Sequence, residues 1–211
     1  MKVLDLFSGL NGWNQPFVDH GHKVVRIDND PQFDADFYLD INDIMAVVDA
    51  VDGAIGFPDV ILASPPCNSF STMTMGRMWT HDGLPKHPTA MKGLQNVVST
   101  LKIIVMLQPV YWVIENPRAR LRSLDVLRGL PMKTITQCQY GHDRMKPTDL
   151  WGELPGRLHL RPMCKNGDPC HVRAPRGSTG GTQGGLTGVE SARIPYELAD
   201  DLRVALEASD L

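Results

Sequence analysis

The apolar run Val60-Ile-Leu-Ala63 is cut off by Ser64-Pro65-Pro66 and followed at once by Cys67. A short, wholly apolar run bounded by turn residues reads as a buried strand, and two consecutive prolines prevent it from continuing as strand or helix. The chain therefore has to set a thiol on a stiff loop at the carboxyl end of a buried strand. In open α/β sheets that edge is where ligands and reacting groups gather. A thiolate is also the most nucleophilic of the ordinary side chains.

Two other runs end in the same manner. Val3-Leu-Asp-Leu-Phe-Ser-Gly-Leu-Asn-Gly12 is a strand entering a glycine turn, and Tyr111-Trp-Val-Ile-Glu-Asn-Pro117 is a strand that delivers a carboxylate. Between them, Gly12–His20 has room for a short helix, and strands are expected at Lys23–Asp28 and Phe37–Leu39. Met91–Leu107 has helical spacing at Leu94, Val97, Val98, Leu101, Ile104 and Val105, and Pro109 ends it. Residues 64–90 read as a long loop, of the length usual for a functional lid. Alternating strands and helices predict an α/β fold, a doubly wound, mainly parallel Rossmann-like sheet. Beyond Pro117 the spacing predicts a basic helix at Arg118–Leu130, an alternating strand at Lys133–Tyr140, a turn-rich stretch at 141–188 and an amphipathic helix at Ile194–Leu206. Three segments follow: 1–140, 141–188, and 189–211 packing back on the first.

At 211 residues the chain fits one domain with a small appendage. Its four cysteines are too sparse for a disulfide scaffold, which points to a reducing cytoplasm. Nothing resembles a signal peptide, and apolar stretches such as Ile103–Leu107 are too short to span a bilayer, so no membrane partner is expected. The net charge of −3 hides an asymmetry: residues 1–60 carry 3 Lys/Arg against 11 Asp, whereas residues 118–176 carry 12 Lys/Arg against 5 Asp/Glu. The basic excess is interleaved with Gly, Pro, Trp and Tyr, which favours a face for nucleic acid over a merely solvated surface.

The first turn, with Ser8, Gly9, Asn11 and Gly12, lets backbone approach a ligand closely. It is not the dinucleotide Gly-x-Gly-x-x-Gly and lacks the Lys-Ser/Thr of a phosphate loop, so NAD and ATP are disfavoured. Asp28 and Asp40 end the second and third strands. Singly each reads as a cap; with the turn, at successive strand ends, they favour an adenosyl ligand.

Glycine turn, Pro-Pro-Cys loop and Glu-Asn-Pro strand, in that order, resemble the cytosine-C5 methyltransferases. The resemblance is strong over 3–12 and 59–71 and good over 111–118. It implies S-adenosylmethionine, or a derivative of it, bound by Asp5, Phe7, Ser8, Gly9, Asn11, Gly12, Asp28, Asn29, Asp40, Ile41 and Pro65. Phe7 would pack on the adenine, Gly9 approach the methionine part, Asp28 hold the ribose and Asp40 the adenine amino group. Pro66-Cys67 matches the family's Pro-Cys motif, which makes Cys67 the nucleophile that adds to C6 of cytosine. Glu115 would act at N3, and Asn116 would shape the loop. The substrate implied is a base flipped out of double-stranded DNA, and the enzyme a monomer in a bacterial or phage-infected cell. Within the lid, Ser71, Arg77 and Trp79 are candidates to contact DNA or fill the gap; Arg118, Gln139, Lys146, Arg173 and Arg176 are further DNA contacts.

The chain departs from the family in places. The family's Gln-x-Arg-x-Arg stands here as Gln137-Cys138-Gln139-Tyr140-Gly141, so Arg144 and Lys146 are the natural substitutes, Arg144 at the reacting centre. The final family motif is not recognisable; Gly180–Gly188 followed by Arg193-Ile-Pro195 is the stretch that could replace it. The target-recognition segment is reduced, as in small phage-type members, and should read about two to four base pairs. An RNA cytosine methyltransferase and a catalytically idle DNA-binding paralogue are the alternative readings. Cys164, Cys170 and His171, with His159 nearby, raise the question of zinc. Cys-x5-Cys-His departs from the usual ligand spacing and supplies one thiolate pair, so loop cysteines without metal are expected.

Overall fold

The computed structural model describes residues 1–71, 75–178 and 181–209. Residues 72–74 of the expected lid, 179–180 of the glycine-rich stretch and 210–211 of the last segment lie outside the described residues. Among the described residues seven strands, β1 (Lys2–Leu6), β2 (Lys23–Asp28), β3 (Phe37–Tyr38), β4 (Val60–Ala63), β5 (Tyr111–Pro117), β6 (Met132–Thr136) and β7 (Pro147–Trp151), form one sheet in the order β3-β2-β1-β4-β5-β7-β6. The first five run parallel, with Leu4 opposite Val25 and Ile61 and Ala63 opposite Ile114. β7 is antiparallel to both its neighbours.

The helices are α1 (Gln15–Asp19), α2 (Ile44–Ile55), α3 (Met75–Met78), α4 (Pro88–Leu107), α5 (Gly188–Ala192) and α6 (Tyr196–Glu207). Alternation along the strands sorts the core into two layers. Leu4, Leu6, Val25 and Ile27 pack with Val47 and Val51 of α2 and Val97, Ile103 and Leu107 of α4. Val3, Val60, Leu62 and Val113 pack with Phe17 of α1 and Leu198, Leu202 and Leu206 of α6. That leucine series, spaced by four, is one helical face, and each side chain so buried stabilises the fold by about 1.5–3 kcal/mol.

Several elements differ from the expectation. α2 had no counterpart, although Asp43 caps it through the amide of Ala46 and Gly56 ends it at φ 70°. The expected helix at 118–130 is instead two 3₁₀ turns, Arg120–Ser123 and Asp125–Leu127. Leu121, Leu124 and Leu127 are the buried residues there, and a spacing of three fits 3₁₀ rather than α geometry. The expected strand 133–140 stops at Thr136, and Gln137–Tyr140 turns as 3₁₀. β7 lies in the stretch read as turns; its polar Asp149 is fully buried because Arg122 grips both carboxylate oxygens at 2.9 and 2.6 Å. α4 begins three residues earlier than expected, capped by His87. Its 20 residues are long and apolar enough to cross a bilayer, with half of the apolar stretch buried in this core.

Candidate active site

The carboxyl ends of β1, β4 and β5 converge on the Pro65-Pro66-Cys67 loop. Asn116, buried on β5, donates its Nδ2 to the Pro65 carbonyl at 2.8 Å and so fastens the loop to the next strand. Cys67 opens a 3₁₀ turn, Cys67–Ser69, laid directly on α4 at Gly93; a Cβ there would meet Ser69 Oγ at 2.1 Å. The Cys67 side chain opens into a cavity of about 530 Å³ that is also lined by Ser71, Asn116, Arg118, Lys146 and Gln183.

Behind this cavity Glu115 is 4 % exposed. Its Oε1 accepts from Gln137 Nε2 at 3.2 Å and lies 4.0 Å from Lys146 Nζ. Burial raises the Glu115 pKa, opposed by Lys146 and a hydrogen bond with Ser64 and reinforced by Asp149. Cys67 itself is exposed at the cavity, yet the protein atoms crowded around its thiol raise the pKa, with Lys146 pulling it down and Glu115 pushing it up. Ser64 Oγ also accepts from Trp13 Nε1 at 2.9 Å, which ties the β1 turn to the same centre.

The turn after β1 holds Phe7, Gly9 and Asn11 at φ of 60°, 47° and 59°, a strained arrangement of the kind found at ligand clamps. Asp28 fixes it, accepting from the Gly9 amide at 3.0 Å and the Asp30 amide at 2.9 Å. A cavity of about 290 Å³ is lined by Phe7, Ser8, Gly9, Asp28, Asn29 and Pro66. A smaller one of about 50 Å³ adjoins it and takes in Asp40, Ile41 and Asn96. The Asp40 carboxylate is held by Lys92 Nζ at 2.7 Å and by Asn42, and these partners lower its pKa to about 2. Ala192 and Ile194 close the larger cavity, and Gly12 lies so close beneath that a Cβ would meet the Ile194 carbonyl at 2.7 Å. The Arg193–Pro195 segment singled out in the sequence therefore does reach the turn.

Of the expected cofactor residues, Asp5, Asn11 and Pro65 do not line these two cavities. Asp5 is 1 % exposed, accepts from Asn14 Nδ2 at 2.7 Å, and burial raises its pKa to about 7; it holds the turn from below. Asn11 points its side chain to the Asp34 carbonyl and to Asn14. With Gly12 it lines a neighbouring cavity of about 460 Å³. Pro65 is buried beneath the loop, and Pro66 lines both donor-side cavities while Cys67 lines the other. The tripeptide is thus the wall between two compartments.

The basic residues divide. Arg118 is exposed at the Cys67 cavity, and Arg173 and Arg176 are exposed along a further cavity of about 510 Å³ that joins it at Ser178, Gly181 and Thr182. Arg77 is exposed on α3 and does not line these cavities. Trp79, expected to contact DNA or fill the gap, is instead 2 % exposed and stacked on Phe70, with Nε1 donating to the Ser69 carbonyl at 2.7 Å, so it belongs to the core. Gln139 turns toward Cys170 Sγ at 3.5 Å. Arg144 grips the Val172 carbonyl at 2.9 Å and does not line the Cys67 cavity, whereas Lys146, expected at the DNA, is 3 % exposed beside Glu115. The thiol reading also changes. Cys138, not weighed as a ligand, joins Cys164, Cys170 and His171, their ligand atoms all within 4.8 Å of one another. His159 is exposed and not in this group.

Comparison with known proteins gives a consistent picture. The C-5 cytosine-specific DNA methylase family matches residues 1–124. A probable DNA (cytosine-5)-methyltransferase of Frog virus 3 (isolate Goorha) is 29% identical over 161 residues, covering 74% of this chain and 72% of the viral protein. The type II methyltransferase M.HgiGI of Herpetosiphon aurantiacus is 27% identical over 133 residues, 59% of this chain and 97% of its own length. Among solved structures, the Entamoeba histolytica methyltransferase EhMeth superposes with a TM-score of 0.50 at 11% identity, a likeness of fold. That match covers 77% of this chain and 56% of EhMeth, so the chain spans little more than half of that structure.

Proposed function

We propose, starting from the fact that this chain belongs to the C-5 cytosine-specific DNA methylase family, that it methylates C5 of a cytosine flipped out of a short site in double-stranded DNA. The observation that carries this reading is the Pro65-Pro66-Cys67 wall, with a donor-sized cavity on the Pro66 side and Cys67 and Lys146 in the cavity on the other. S-adenosylmethionine fits the first compartment: Phe7 offers an apolar face, the Gly9 backbone a close approach, and Asp28 spare lone pairs for hydroxyls. When bound there it supplies an electrophilic methyl group. Asp40 and Ile41 border the adjoining recess, in keeping with an adenine edge.

On the other side, Cys67 Sγ adds to C6 and turns the ring into an enamine whose C5 is nucleophilic. Glu115, inclined by burial to keep its proton, donates to N3 and meets the charge that arrives there. Lys146 takes the place of the missing family arginine, near enough to Glu115 and Cys67 to favour both anionic forms. Asn116 positions the loop through Pro65. After transfer the C5 proton leaves to water, the C6–S bond breaks, the thiolate is released, and N3 returns its proton to Glu115. Because the target atoms lie inside a duplex, the base has to be extruded into the Cys67 cavity.

In this reading the sheet is doubly wound, residues 1–140 form the catalytic domain, and 141–188 carry the target reader on their irregular part beyond β7. Residues 189–211 pack back on the catalytic domain, as in compact phage-type members. Arg118, Arg173 and Arg176 line the path that DNA would follow. A duplex carrying 5-fluorocytosine should trap a covalent adduct with the wild-type protein, because fluorine cannot leave as the proton does. Cys67→Ala should give no adduct and no methyl transfer. Absence of a wild-type adduct across a library of sites would overturn the proposal.

A further inference from the structure

Every cysteine apart from Cys67 converges on one point. Cys138 Sγ lies 3.1 Å from Cys164 Sγ and 3.7 Å from Cys170 Sγ. His171 Nδ1 lies 3.8 Å from Cys164 Sγ and 3.5 Å from Cys170 Sγ. A tetrahedral ion with ordinary zinc–sulfur and zinc–nitrogen bonds sets its ligands about 3.8 Å apart between sulfurs and about 3.5 Å between sulfur and nitrogen. Three of the four distances therefore already match the edges of such a tetrahedron, and the shortest edge has only to open slightly. Three thiolates and one imidazole are a standard donor set for structural zinc.

We propose that Cys138, Cys164, Cys170 and His171 bind one Zn²⁺ ion as a closed, structural site. Cys138 comes from the 3₁₀ turn after β6, and the other three come from a loop 26 to 33 residues further on. Among the described residues no helix or strand lies between Trp151 and Gly181, so this stretch has little secondary structure to hold it. What does hold it converges on the same spot. The Cys164 amide donates to Thr136 Oγ1 at 2.9 Å, Arg161 reaches the Gln139 carbonyl at 2.8 Å, and the Val172 amide donates to the Asp143 carbonyl at 2.9 Å. Gln139 Nε2 points at Cys170 Sγ, the kind of outer N–H···S contact that supports a metal-bound thiolate. The ion would staple the irregular loop to the sheet, a role metals commonly take where a segment cannot build its own core. It would also fix the start of the Arg173–Arg176 run, which lines the cavity adjoining that of Cys67. The metal site itself does not depend on the proposed methyl transfer; only its bearing on DNA contact does.

Protein purified without chelator should contain about one zinc per chain. After exchange, cobalt should give the intense visible bands of tetrahedral thiolate ligation. Cys164→Ala, Cys170→Ala and His171→Ala should each lose most of the metal, while Cys67→Ala should keep it and serve as a folded control. Because a ligand variant can misfold, hydrogen exchange on the wild-type chain gives a second reading: stripping the metal should speed exchange across residues 157–176 and leave β1 and β4 unchanged. Absence of zinc together with no tetrahedral cobalt spectrum would overturn the site. Full metal content in Cys170→Ala and His171→Ala would overturn these ligands, and unchanged exchange would overturn the stapling role.

Discussion

Around Cys67, the identity of one side chain, Lys146, sets the balance of charge. Desolvation by neighbouring protein atoms makes both the thiolate of the exposed Cys67 and the carboxylate of the buried Glu115 costly. Lys146 offsets part of that cost for each, and it does so without leaving the protein interior. Replacing it with Gln removes the favourable charge, so the Cys67 pKa should rise further. The rate of alkylation by iodoacetamide should then show a midpoint shifted up by about one unit, about tenfold slower at a fixed pH below the midpoint. Lys146→Arg should restore most of the rate. An unchanged midpoint in Lys146→Gln would remove Lys146 from the reacting centre. At this scale Cys67, Glu115 and the Pro-Pro loop were legible in the sequence because each sits at the end of an apolar run. The arrival of Lys146 beside Glu115, with Arg144 turned to the Val172 carbonyl, was not, since residues two apart on an irregular backbone can face opposite ways.

Elements position these side chains through backbone contacts that composition does not announce. The Cys67–Ser69 turn rests on α4 at Gly93, and a single methyl group there would collide with Ser69. Gly93→Ala should therefore displace the turn. We expect a loss of about 1–3 kcal/mol in stability, as for an overpacked core, and slower adduct formation with fluorocytosine duplex. Chemical denaturation paired with adduct kinetics measures both, and an alanine variant with wild-type kinetics would show that the turn is not held by α4. The long strands and α4 could be read from periodicity because their apolar faces are continuous. α2 went unread although its caps are plain. β7 went unread because it carries Pro147 and Asp149, which are turn residues by type. Arg122 and Thr134 supply the partners that let Asp149 sit inside a sheet, and both lie far from it in sequence.

Across the whole molecule, charge is separated between the acidic first 60 residues and the basic span 118–176. Arg26, on the acidic side, spends its charge on Asp34 and Asp36, whereas Arg118 and Arg173 stand exposed along the joined cavities. DNA affinity should fall as salt rises, and Arg118→Ala and Arg173→Ala should each flatten the log–log slope by about 0.9 if each meets one phosphate. Arg26→Ala should leave the slope unchanged; equal slopes for all three variants would mean that the basic face does not meet the backbone. The alternation of apolar runs, their abrupt ends and the residues delivered there determined the α/β class, the cysteine loop and its glutamate partner, because hydrophobic periodicity and proline geometry act within a few residues. The tertiary structure alone decided that Lys146 is buried beside Glu115 at the Cys67 cavity, that Trp79 belongs to the core, and that Cys138 meets thiols more than twenty residues away. Those outcomes depend on which loops pack together, and packing is a property of the assembled fold rather than of any local window.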